Sequence, residues 1–85
     1  MLNISTVNNS EVTVYTVPTG SSAMVMVDIF PTTTDPNTIV KVNDVVYWSG
    51  EMKGFMSIKV SLAENDIVKV STDGTVNVFV HGMVM

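Results

Sequence analysis

Tyr15-Thr16-Val17-Pro18-Thr19-Gly20-Ser21-Ser22-Ala23-Met24-Val25-Met26-Val27-Asp28-Ile29-Phe30 sets the architecture of this chain. A short strand runs into a Pro-Thr-Gly turn and a long strand leaves it. Pro18 presets φ for a turn and Gly20 can take positive φ, so the chain reverses here. Along the outgoing strand Ala23, Val25, Val27 and Ile29 point one way, and Met24, Met26, Asp28 and Phe30 the other. Both rows are apolar over the first half, which a strand with one wet face does not need. Such a strand is either central in a two-sheet sandwich or covered on its second face by another subunit.

Working outward, the same period of two recurs on both sides. Asn3 to Val7 reads as a short strand closed by Asn8-Asn9-Ser10. Val12 to Val17 reads as a second, with Val12 and Val14 on one face and Thr13, Tyr15 and Val17 on the other. Pro31-Thr32-Thr33-Thr34-Asp35-Pro36-Asn37 is a loop, because two prolines and an Asp-Pro pair break regular structure. Thr38 to Val42 and Val45 to Trp48 flank Asn43-Asp44, residues that tolerate the positive φ of a tight hairpin. Ser49 to Gly54 punctuates again. Met56, Ile58, Val60 and Leu62 alternate with Ser57, Lys59 and Ser61, and Ile67 to Ser71 follows a turn at 63–66. After an Asp73-Gly74 turn, Val76, Val78 and Val80 close the pattern opposite Asn77, Phe79 and His81. No segment keeps helical spacing for long, while Val and Thr, stiff at χ1, suit pleated surfaces.

About eight short strands at this spacing predict an all-β chain, one small antiparallel β-sandwich over residues 1–85, jelly-roll-like or immunoglobulin-like. The expected core includes Val25, Val27, Met56, Ile58, Val60, Val68, Val70, Val78 and Val80.

Composition narrows the function. A chain of 85 residues forms a marginal core, and small domains add disulfides, metal or oligomerisation. Cysteine is absent and His81 is the one histidine, which removes thiol chemistry and multi-histidine metal sites. Oligomerisation is the means that remains, and a trimer is the favoured form. Four scattered lysines, no arginine and a net charge of −4 argue against nucleic-acid binding. No apolar run reaches membrane-spanning length. The first residues lack the basic and apolar regions of a signal peptide, so synthesis in a cytoplasm is expected.

Chemistry-bearing residues are few. His81 is the sole imidazole base available to the many Ser and Thr hydroxyls, and it sits at an outward position of the last strand. A lone histidine there reads as a surface residue, and no enzyme is expected. Glu11, Glu51 and Glu64 lie in or beside turns, where acids serve solubility and local hydrogen bonds rather than glycoside hydrolysis. Asp35, Asn37, Asp44, Asn65, Asp66 and Asp73 offer oxygen ligands, but without a dense calcium-loop pattern they read as turn residues. Neither a metal nor a cofactor is expected.

The methionines carry more information. Met24 and Met26 share a face with Phe30, and Met83-Val84-Met85 forms an apolar tail that is expected to rest against another subunit. With Pro31 and Pro36 of the adjoining loop, these residues make up the expected partner interface. Tyr47-Trp48 could stack on a sugar face, although core packing is the simpler role for Trp48.

Two stretches resemble a family of small β-sandwich proteins from tailed-phage virions. One is Val14 to Gly20 followed by the alternating Ala23 to Val27. The other is Ser61 to Thr72 with the closing Val76-Asn77-Val78-Phe79-Val80-His81-Gly82. The resemblance implies a non-enzymatic virion component, assembled in the host cytoplasm, most simply a capsid cement or decoration protein that clamps major capsid subunits. The alternative it implies is a tail-fibre or receptor- and glycan-binding module.

Overall fold

A computed structural model describes residues 1–85. Eight strands follow in order: β1 Asn3–Asn8, β2 Glu11–Thr16, β3 Ala23–Pro31, β4 Asn37–Val42, β5 Val45–Glu51, β6 Met56–Leu62, β7 Ile67–Thr72 and β8 Thr75–Val84. They form two four-stranded sheets, β1-β8-β3-β6 (sheet A) and β2-β7-β4-β5 (sheet B), with every pairing antiparallel. The pairings nest: β4 with β5, β3 with β6, β2 with β7, β1 with β8. The chain is therefore one long two-stranded ribbon rolled up, which is the jelly-roll arrangement rather than the immunoglobulin one.

The roll turns on a single tight hairpin. Asn43 and Asp44 both take positive φ, 51° and 65°, as the strand twist demands of a two-residue turn. The Pro18-Thr19-Gly20 turn does different work from a hairpin, since it carries the chain from β2 in sheet B to β3 in sheet A. Gly20 supplies a φ of 84° there. Side chains tie this end together: Gly20 N–H donates to Glu64 Oε2 (2.6 Å), Thr19 Oγ1 to Asn65 Oδ1 (2.8 Å) and Asn43 Nδ2 to Asp66 Oδ1 (2.8 Å).

The core lies between the sheets and is built mostly from valine. Val25, Val27, Ile58, Val60, Val68, Val70, Val78 and Val80 are buried, and Met56 is half-buried against them. β-branched side chains lose little rotamer freedom in strands, which favours so valine-rich an interior. Two hydroxyls enter it, and Thr38 Oγ1 meets Thr72 Oγ1 at 3.2 Å, so neither is left without a partner.

Three local readings of the sequence are corrected. In β2 a bulge between Thr13 and Tyr15 sets Tyr15 opposite Val68, on the core side with Val12. Val14 is also buried, and its carbonyl accepts the Asn3 amide; the extra residue breaks the strict alternation. β5 runs on through Ser49 and Gly50 to Glu51, with a second bulge beside Trp48. The Trp48 indole lies on the core side, where an added Cβ at Gly50 would stand 3.2 Å from its ring. Pro36, expected at an interface, is buried at the end of the sandwich, beneath the turn that contains Gly74. It cannot contact a partner.

Candidate functional site: the outer face of sheet A

β3 is central in sheet A, between β8 and β6, so its inner row is core and its outer row faces solvent. The register places that outer row among its neighbours. Ile4, Phe79, Asp28 and Ser57 lie in one line across the four strands. His81, Met26 and Lys59 form the next line, and Met83, Met24 and Ser61 the one after it. On the other side Phe30 stands beside Asn77. Its ring stacks on Phe55 (centroids 5.4 Å apart, planes 14° apart) and meets Phe79 edge-on (5.5 Å, 86°). These are the two arrangements that the ring quadrupole favours.

The face carries several exposed apolar side chains among its polar ones. Ile4, Met24, Phe30, Phe55 and Met83 are all exposed, Phe55 at 66%. An open hollow of about 600 Å³ is lined by Met1, Phe30, Asn77 and Phe79, with Asp28 and His81 beside them. Contiguous patches of this kind on small proteins mark contact surfaces.

A small polar cluster sits inside the apolar field. Asp28 Oδ1 accepts from Ser57 Oγ at 2.6 Å, and Oδ2 lies 2.7 Å from His81 Nε2. The Ser57 hydroxyl holds the Asp28 carboxyl below its ordinary value; partial burial opposes this and His81 reinforces it. The trio has the residue types of a serine hydrolase but not its order. There the imidazole lies between hydroxyl and carboxylate and takes the serine proton. Here the carboxylate lies between, and a carboxylate of lowered pKa is a weak base for a serine hydroxyl. The cluster fixes side chains and leaves Ser57 without an activator.

Of the expected interface residues, Met24, Met26, Phe30 and Met83 come together on this face. Pro31 is the last residue of β3, half-buried opposite Val76. The tail is not a free arm: Val84 pairs with Ala23, and Ser22 and Met85 exchange backbone hydrogen bonds of 3.0 and 2.8 Å. Its side chains stay exposed, Met85 at the end of the strand. Phe55, Phe79, Ile4 and Lys59 complete the face, although nothing in the sequence marked them as a site. Alternation alone puts each of them outward; only the strand order makes them neighbours.

The turn acids have partners of their own. Asp35 and Glu51 share Lys53, Asp44 pairs with Lys69, and Asp73 accepts two bonds from Asn37. Asp66 accepts from Asn43 and from the Ala63 N–H, bonds that lower its pKa. No three acidic or histidine side chains converge as metal ligands. A second apolar patch lies on the edge strand of sheet B, where Val45, Val46 and Tyr47 are exposed and Tyr47 Oη donates to the Lys59 carbonyl at 3.1 Å. A scan of family models finds no match to this chain, and neither curated proteins nor solved structures yield one.

Proposed function

We propose that this chain is a non-enzymatic structural protein of a tailed-phage virion, a cement or decoration protein that binds major capsid subunits and joins neighbours in the shell. One observation carries the reading. Exposed apolar side chains lie both on the outer face of sheet A and on the β5 edge of sheet B, which Tyr47 ties to β6 through the Lys59 carbonyl. A protein that bridges needs two contact surfaces, and apolar area buried at each contributes about 25 cal/mol per Å². The resemblance to small virion sandwiches points the same way. The glycan-reading alternative keeps the exposed Tyr47, while Trp48 is partly buried against the core.

The test uses particles assembled with Val46→Asp or Met83→Asp, each change confined to one patch. Both variants should fold, and each should lower occupancy on heads or the temperature at which heads burst. Full occupancy and unchanged head stability with both patches altered would overturn the reading.

A further inference from the structure

The charged side chains of the protein are unevenly partnered. Three of the four lysines bind a carboxylate within the chain: Lys41 with Glu11, Lys53 with Asp35 and Glu51, and Lys69 with Asp44. Lys59 does not, and it stands on this face among Met24, Met26 and His81. Its ammonium is exposed to solvent with three donors that no side chain of this chain takes up, so it is free to meet a carboxylate of another molecule. Diagonally across the β3–β6 pair lies Asp28, the one carboxylate on the face. It accepts from Ser57 and His81, and an ionised carboxylate can accept about four bonds in all. The face thus presents a lysine and a carboxylate, displaced from each other, among exposed apolar side chains.

We infer that the outer face of sheet A is a two-fold contact between two copies of this chain, with Lys59 of each copy bound to Asp28 of the other. The inference rests on this face being a contact surface, and it assigns the partner. A two-fold axis lying between the faces, and crossing midway between Asp28 and Lys59, makes both bonds at once. Such isologous contacts join one patch to its own copy. The molecule spans 39 × 22 × 16 Å between Cα extremes, so its largest cross-section is of the order of the roughly 800 Å² that each partner contributes to a standard interface. Phe30, Phe55 and Met24 supply the aromatic and methionine anchors on which such interfaces depend. The β5 patch then stays free for the shell.

Sedimentation equilibrium of the intact protein across micromolar concentrations tests the inference. The parent chain should be a dimer. Lys59→Glu alone sets Asp28 against Glu, and Asp28→Lys alone sets two lysines together, so each should weaken dimerisation at least about tenfold. Mixing the two variants should restore it, because Asp28 then meets Lys59 and the new Lys meets the new Glu. Circular dichroism checks that each variant is folded. If Asp28→Lys fails to fold, Phe55→Asp replaces it, and that exposed change should also shift the protein to monomer. A monomeric or trimeric parent overturns the inference, as does a mixture that stays monomeric or a Phe55→Asp protein that stays dimeric. A dimer that never binds particles leaves this inference standing and overturns the cement reading; a monomer that binds them does the reverse.

Discussion

Gly82→Ala is the substitution that most directly tests how β8 is held to β3. Gly82 sits opposite Val25 with φ at +148°, a backbone conformation that side chains disfavour. A Cβ there would lie 2.1 Å from the Met24 carbonyl oxygen and 2.8 Å from the Val25 Cα. Both are backbone atoms of the central strand, so no rotamer change relieves the contact. The strained backbone costs about 1–3 kcal/mol. If the strands part instead, the two bonds between Ser22 and Met85 go, at about 0.5–1.5 kcal/mol each. A loss of about 1–3 kcal/mol is expected by either route, from a total near 4–13 kcal/mol for a domain of this size. At about 4–8 °C per kcal/mol, Tm should fall by roughly 4–24 °C. Thermal melting by circular dichroism reads the first quantity, and hydrogen exchange at Ser22 and Met85 reads the separation. A Tm within about 3 °C of the parent, with both amides still protected, would refute the close approach.

Val78→Asp should abolish folding, because an unpaired charge at a fully buried position costs several kcal/mol; a cooperative melt like that of the parent would show the inward row to be misplaced by one residue. Trp48→Ala should lower stability by about 2–4 kcal/mol in urea, since the indole packs on the core, whereas a sugar platform would lose binding with its stability intact. Asp28, Asp44 and Asp66 have lowered pKa values, held by Ser57, Lys69 and Asn43 in turn. Groups of this sign contribute stability that is present above the unfolded carboxylate value of 3.8 and is lost as pH falls through the folded value. Lys53 and Lys69 are raised from 10.5 by Glu51 and Asp44, so their contribution is present below that value and is lost as pH rises through the folded one. Urea midpoints against pH should therefore be flat through the neutral range and fall at both extremes, and Asp66→Asn should soften the acid limb.

What the sequence could and could not show follows from the reach of each signal. Alternation has a period of two and needs only a few neighbours, so the inner rows of β3, β6, β7 and β8 were legible residue by residue. The Asn43-Asp44 hairpin was legible too, because positive φ selects its own residues. Bulges escape that logic. One extra residue at Val14 moves Tyr15 to the other face, and no residue type announces it. Pro36 was misplaced for a related reason: two prolines mark a loop but not which of its residues turns beneath Gly74.

The outer face of sheet A lies at the far limit of this reach. Ile4 and Phe79 are 75 positions apart and stand side by side only because β1 closes on β8. Phe30 and Phe55 stack because β3 pairs with β6 rather than with its neighbour in sequence. Nested pairing is a property of the whole ribbon, so no local window contains it. The methionines of β3 gave the one early sign, since an apolar residue on the second face of a central strand needs cover from somewhere. Lys59 shows why charge also had to wait for the fold. In the sequence it is one lysine of four, and only when the other three are seen bound within the chain does its lack of a partner acquire meaning.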